Sequence, residues 1–161
     1  MLISLHWINR KKDMNIAIMY QSLRGGTRRA ADAIAKCFQD QGASVGTYPV
    51  TNIDAQFVLN ADLLVIGTWT DGLFGLGAKP AQIGKLNTLP DISQKKTSLF
   101  VTYEISPSKS LEQLEEWALE RGADPIHSQG FKVRGPFRKD ISEELETFVS
   151  TSIEAITSTN A

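Results

Sequence analysis

Strand-length apolar runs alternate five times along this chain with segments of helical periodicity, and this alternation constrains the fold more than any other feature of the sequence. Repeated strand, helix and strand units place the strands in parallel, with the helices packed on both faces of the sheet. The run DLLVIG, Asp62–Gly67, is almost wholly apolar, as expected of a central strand that is buried on both faces. The sequence therefore predicts an α/β protein with a parallel sheet.

The elements are predicted from periodicity, capping residues and the positions of glycine and proline. The strands are expected at Ile16–Tyr20, Ser44–Val50, Asp62–Gly67, Thr97–Glu104 and Pro125–Val133, with a β-bulge at Gly130. The first helix is expected from about Thr27 to Gly42, and at most a short helix is expected within 51–61, after an Asp54 N-cap. A third helix is expected from Pro80 through Leu86 to about Leu89. The last two are expected from a capping box of Ser110 and Gln113 to Gly122, and from Asp140 through Ile153.

The length of 161 residues suits one domain, which we expect at 14–156, followed by a frayed tail at 157–161. Residues 1–13 form either a disordered extension or an added strand or surface anchor, and we favour the extension because termini outside a sheet usually fray. This segment lacks the charge order and length of a secretory signal, and no apolar run is long enough to span a bilayer. A cytoplasmic protein is expected.

Composition excludes several classes of partner. The net charge of -1, with 22% charged and 42% hydrophobic residues, does not suit a nucleic-acid-coating or disordered protein. Cys37 is the single cysteine and shares a helical stripe with Ile34 and Phe38, so it is interpreted as a structural thiol. His6 and His127 lack companions at ligand spacing, so no metal site is expected.

Two loops carry the functional signal. The first, QSLRGGT, follows the first strand and precedes an alanine-rich helix, so it presents backbone N–H groups, the hydroxyls of Ser22 and Thr27 and the positive end of a helix dipole to one point. Such a point suits a phosphate. The second segment, TWTDGLFGLGAKP at 68–80, follows the central strand and is predicted to be a long glycine-rich loop with a functional role. The two loops would meet if the strand order is 2-1-3-4-5.

At these loops the sequence resembles the flavodoxin family over residues 14–156. The family's phosphate loop reads roughly S/T-x-T-G-N-T, and Ser22-Leu23-Arg24-Gly25-Gly26-Thr27 occupies that register. Arg24 stands where a hydroxyl is usual and Gly26 where asparagine is usual. The resemblance implies a three-layer sandwich, with a five-stranded parallel sheet of order 2-1-3-4-5 and flavin mononucleotide (FMN) at the carboxyl edge; flavodoxin is itself a standard example of ligands binding where the strand order reverses.

The second family loop, often G-x-x-T-W-G, aligns with Gly67-Thr68-Trp69-Thr70-Asp71-Gly72. Trp69 lies two residues before the family's stacking aromatic, so it either stacks on the flavin ring or packs under the loop. Asp71 stands at the aromatic position, where it either lowers the flavin potential or is a solvated turn residue. The peptide near Gly72 is expected to flip and offer its carbonyl to flavin N5.

The family's third flavin loop, which follows the fourth strand and carries an acidic and aromatic cluster, is absent here. Tyr103 either flanks the flavin ring on the side opposite Trp69 or is an ordinary packing residue at the strand end. The resemblance thus implies these cofactor-binding residues: Ser22, Leu23, Arg24, Gly25, Gly26, Thr27, Thr68, Trp69, Thr70, Asp71, Gly72 and Tyr103. Arg24, Arg28 and Arg29 form a basic group that either attracts the phosphate or a second anionic ligand, or is a solvated helix face; for Arg29 the solvated face is favoured.

The family implies no catalytic side chain, because the redox chemistry belongs to FMN. The expected function is electron transfer to a redox partner protein or small-molecule acceptor, by a monomer or weak homodimer. One alternative is an FMN-dependent NAD(P)H reductase or oxidase of a quinone-like acceptor, and another is a flavodoxin-like binding module without cofactor. A receiver domain is disfavoured because Tyr20 and Gln21 stand where such a domain has an acidic pair at the end of its first strand. A P-loop nucleotidase is disfavoured because the lysine of the G-K-[ST] motif does not follow Gly25 and Gly26.

Overall fold

The computed structural model describes residues 14–73, 76–80, 83–107, 109–133 and 140–159. The strands are β1 (Asn15–Tyr20), β2 (Ser44–Pro49), β3 (Leu63–Leu73), β4 (Leu76–Pro80), β5 (Lys96–Tyr103) and β6 (Asp124–Lys132). Five of them pair in parallel in the order β2-β1-β3-β5-β6, and β4 pairs antiparallel with the end of β3. Leaving β4 aside, this is the predicted order 2-1-3-4-5.

The helices are α1 (Gly26–Asp40), α2 (Ala55–Asn60), α3 (Ile83–Leu86), α4 (Ser110–Glu120) and α5 (Ser142–Thr159). Side chains alternate across β1, so Ile16 and Ile18 join a cluster with α1 and α5, while Ala17 and Met19 join a second cluster with α2, α3 and α4. The sheet is thus covered on both faces, as predicted. No helix among the described residues is long and apolar enough to cross a membrane.

Several local expectations are confirmed. The Asp54 carboxylate accepts the Phe57 N–H at 3.1 Å and caps α2. Gly42 and Gly122 follow α1 and α4 with φ of 90° and 74°, the left-handed region in which glycine ends helices. Cys37 is half-buried against the α1 and α5 cluster, and burial raises the pKa of its thiol.

The segment predicted as a glycine-rich loop is instead largely a β-hairpin. β3 continues through Leu73, and Thr70 and Asp71 pair with Pro80 and Lys79 of β4. A partner strand satisfies backbone groups of this segment, so Gly72 does not end β3. Phe74 and Gly75 lie outside the described residues.

The helix predicted from Pro80 to Leu89 is therefore wrong in its bounds. Pro80 belongs to β4, where the end of an edge strand tolerates its missing N–H. α3 spans only Ile83–Leu86, and Leu86 is fully buried.

The capping box and the bulge position are also wrong. Ser110 is the first residue of α4, and its hydroxyl contacts the Pro107 carbonyl and Thr70 rather than capping the helix. The register of β6 shifts at Ile126, because Pro125 has no N–H to continue the ladder, and Gly130 pairs regularly with Val101.

At the chain ends, α5 continues through Thr159, so its last turn includes part of the segment expected to fray. The expected extension at 1–13 and residues 160–161 lie outside the described residues.

Candidate flavin site

The ends of β1, β3 and β5 meet at the carboxyl edge of the sheet. Tyr20 pairs with Gly67, and the Gln21 N–H donates to the Gly67 carbonyl at 3.0 Å. Trp69 pairs with Thr102. The loop after β1 and the end of β3 therefore lie side by side, as the predicted strand order requires.

Ser22 shapes the loop that follows β1. Its hydroxyl oxygen accepts the Gly25 N–H at 3.1 Å and the Arg28 N–H at 3.3 Å. The loop turns at Gly25, which has φ of 84° and precedes α1. A hydroxyl oxygen that accepts two N–H groups retains its own proton, so Ser22 keeps a donor for an anion.

The start of α1 fits a phosphate. Its first turn contains no acidic residue, and its N-cap residue is Gly25, which has no side chain to cap the helix. The Ser22 hydroxyl accepts the Arg28 N–H of this turn. The N–H groups at Gly26 and Thr27 have no carbonyl earlier in the helix to bind, and with the helix dipole they make this end electropositive. A β-carbon at Gly26 would lie 3.1 Å from Cγ2 of Val133, so a side chain there would require Val133 to shift slightly.

The Thr27 side chain is buried rather than presented to the loop. Its hydroxyl lies 2.8 Å from that of Thr102, and the two residues are 1% and 2% exposed. This bond anchors the start of α1 to the end of β5. The backbone N–H is then the group that Thr27 can offer a phosphate, and its assignment as a binding residue stays a prediction.

The three arginines have different surroundings. Arg28 pairs with Asp32 at 4.0 Å along the exposed face of α1. Arg29 is exposed, and its Nη1 lies near the loop, since a β-carbon on Gly25 would be 3.1 Å from that atom. Consecutive side chains on a helix point in different directions, so Arg29 approaches the turn while Arg28 lies along α1. Arg24 pairs with Glu104 at 3.8 Å.

A small cavity of about 200 Å³ lies beside the loop, between α1, the end of β6 and the start of α5. Arg29, Lys132 and Asp140 supply its charged groups. Hydrogen bonds from the Ser142 hydroxyl and N–H hold the pKa of the Asp140 carboxyl below its usual range. The cavity is smaller than the roughly 300–1,000 Å³ of typical ligand pockets.

At the end of β3, the predicted residues lie in different environments. Thr68 is fully buried, Trp69 is half-buried, and the Thr70 hydroxyl lies 2.7 Å from that of Ser110. The pairing of β3 with β4 shifts between Asp71 and Leu73, which places Gly72 at the irregularity. A glycine outside the regular ladder retains the backbone freedom that a peptide flip requires.

Tyr103 packs against β6. A β-carbon on Gly130 would lie 3.1 Å from Cε1 of Tyr103, so the phenol ring covers that glycine. The Tyr103 carbonyl accepts the Val133 N–H at 3.0 Å. These contacts favour packing over a role in flanking the flavin.

Several residues at this edge were not predicted to act there. Gln21, Thr102 and Glu104 join the loops, and Arg29 and Lys132 border the cavity. Pairs such as Thr27 and Thr102 leave no local pattern, because 75 positions separate them in the chain. The sequence shows Glu104 as an acidic residue at a strand end, but it does not predict that Glu104 pairs with Arg24.

A parallel sheet of this order, with a glycine-containing loop between its first strand and the following helix, is typical of the nucleotide- and flavin-binding α/β proteins. The model of the flavodoxin domain family matches residues 17–160 of the chain. The chain therefore belongs to the flavodoxin family.

Relatives agree with this membership. A flavodoxin from Clostridium beijerinckii is 32% identical over 101 residues, which cover 62% of this chain and 72% of that protein. The two-electron reduced flavodoxin of Megasphaera elsdenii superposes with a TM-score of 0.68 at 19% identity, covering 86% of this chain and 98% of its own. Oxidised flavodoxin 2 of Bacillus cereus gives 0.71 at 21% identity, covering 87% and 98%. The two structures show the shared fold.

Flavodoxins bind FMN and transfer electrons to redox partners. As a member of the family, this chain is an FMN-binding electron-transfer protein. The start of α1, whose first turn holds no acidic residue, and the turn at Gly25 fit the phosphate of that cofactor.

Proposed function

We propose that this protein holds FMN across the ends of β1, β3 and β5 and exchanges electrons with a partner protein at that edge. The observation that carries the proposal is the meeting of the Ser22–Thr27 loop with the end of β3, through the hydrogen bond from Gln21 to Gly67. A ligand bound by the loop extends from there over Trp69, Thr70 and Gly72.

The phosphate end of the site is formed mainly by backbone groups. N–H groups at the start of α1 bind the phosphate oxygens, and the Ser22 hydroxyl adds a donor. Arg24 replaces the hydroxyl that is usual at its position with a charged donor, which binds an anion more strongly and with less constraint.

The ring end of the site is formed by β3. When bound, FMN supplies the redox chemistry through its isoalloxazine ring. Trp69 is half-buried at the base of the hairpin and covers part of the ring, excluding water from it. With FMN bound, the Gly72 carbonyl would accept a hydrogen bond from an N–H at flavin N5, because a glycine peptide at an irregular position reorients with little steric cost.

A protein partner suits the surface better than a small acceptor. Leu23 and Ile105 are 67% and 54% exposed, and they lie on the loops after β1 and β5 that border the site. Exposed apolar side chains at the rim favour contact with another protein surface.

The test is a visible spectrum of the purified full chain, followed by fluorescence titrations with FMN, FAD and riboflavin. We expect a yellow protein that prefers FMN to riboflavin at least tenfold. Gly25→Ala should weaken FMN binding, because alanine is strained at φ of 84°. Gly84→Ala is the matched control, since no described residue beyond its own helix and chain neighbours lies within 4 Å of its new β-carbon.

Absence of flavin binding would refute the site. Sustained oxidation of NAD(P)H by the chain with a quinone would instead establish the reductase alternative, and transfer of electrons only between proteins would support the proposal.

A further inference from the structure

Arg24 and Glu104 form an ion pair between two loops of the site. Arg24 lies in the loop after β1 and Glu104 follows β5, and the guanidinium Nη1 is 3.8 Å from the carboxylate Oε1. The Thr27–Thr102 bond joins the same two loops at their bases. The carboxylate of Glu104 therefore stays close to the phosphate loop.

The geometry of this pair is loose. Its distance of 3.8 Å is beyond the usual N–H···O hydrogen-bond range of about 2.7–3.2 Å, so attraction acts without a directional bond. The side chains are 71% and 50% exposed, a setting in which ion pairs are weak and sensitive to salt. Glu104 thus attracts the guanidinium but does not fix its orientation.

A phosphate monoester carries a charge of about −1.5 to −2 at neutral pH. At the start of α1 it would attract Arg24 and be repelled by Glu104. We propose that Glu104 competes with the FMN phosphate for Arg24, and thereby determines how strongly the site prefers FMN to riboflavin. This inference rests on the proposed function, because it requires the phosphate to bind in the Ser22–Thr27 loop.

The test compares dissociation constants of FMN and riboflavin for the full-length parent and its Glu104→Gln variant at low and physiological salt. At low salt the variant should bind FMN about three- to fivefold more tightly, as expected for the loss of one exposed charge interaction. Riboflavin binding should stay unchanged, and the gain should shrink as salt rises. Arg24→Gln should weaken FMN binding and leave riboflavin unaffected.

The Arg28–Asp32 pair provides a matched control. It has a similar separation of 4.0 Å and similar exposures of 68% and 59%, but it lies along α1. Asp32→Asn removes the same charge from an arginine partner and should leave the ratio of FMN to riboflavin affinity close to that of the parent.

The possible results separate the two proposals. A parent that binds no flavin refutes the site and the role of Glu104 together. A parent that prefers FMN, with an unchanged or reduced preference in Glu104→Gln, overturns only the role of Glu104. Equal tightening of FMN and riboflavin also overturns it, because the charge would then act on the ring. Glu104→Lys should increase the preference for FMN further than the glutamine variant.

Discussion

The phosphate end and the ring end of the proposed flavin site are built in different ways. At the phosphate end, Ser22, Gly25 and Arg28 interact within one short segment, so local sequence specifies the turn. At the ring end, Trp69 and Gly72 are positioned by a hairpin whose strands pair across a register shift. The two halves of the proposed site therefore depend on interactions of different range, and variants can separate them.

The largest effect is expected from Gly67→Ala at the ring end. A β-carbon at this position would overlap the ring of Phe100, which is fully buried and cannot move aside. We expect a loss of about 3 kcal/mol in the free energy of unfolding, measured with urea. Gly84→Ala serves as the control, and unchanged stability of Gly67→Ala would contradict this packing at the base of the ring end.

Trp69→Ala tests the ring end by ligand binding. Loss of stacking should weaken binding of both FMN and riboflavin by a similar factor, equivalent to about 1–3 kcal/mol. Fluorescence titration with the two flavins measures this. Weakening confined to FMN would place Trp69 at the phosphate instead, and unchanged binding of both would show that it only packs under the hairpin.

Thr27→Val tests whether the phosphate end also needs a distant contact. The change leaves the buried Thr102 hydroxyl without its partner and should lower the free energy of unfolding by about 1–2 kcal/mol. FMN affinity should fall more than riboflavin affinity. The double variant Thr27→Val/Thr102→Val should recover part of the stability, and strict additivity of the two changes would show that the hydroxyls do not interact.

The smallest effect concerns Asp140, beside the cavity. Its pKa is lowered in the folded protein by hydrogen bonds from Ser142, so its contribution to stability is present above the ordinary pKa of 3.8 and is lost as pH falls through the folded value. Asp140→Asn should therefore lower stability slightly at neutral pH and abolish this part of the acid dependence. Urea midpoints measured against pH for parent and variant would show parallel curves if the expectation is wrong.

Much of the fold could be predicted because its signals are local. Apolar runs indicated the strands, and Asp54, Gly42 and Gly122 indicated helix ends. The errors arose where a partner changed the outcome. Thr70 and Pro80 pair in a hairpin rather than a loop, and Ser110 bonds to Thr70 instead of capping its own helix.

The sequence by itself determined the alternation of strands and helices and the turn around Gly25, since burial periodicity and backbone conformation depend on neighbouring residues. Only the tertiary structure decided that Thr27 bonds to Thr102, that Arg24 pairs with Glu104 and that Arg29 folds over Gly25. The first two contacts join residues far apart in the chain, and the third depends on a rotamer choice. Neither kind of contact leaves a periodic pattern, because each depends on how completed elements pack.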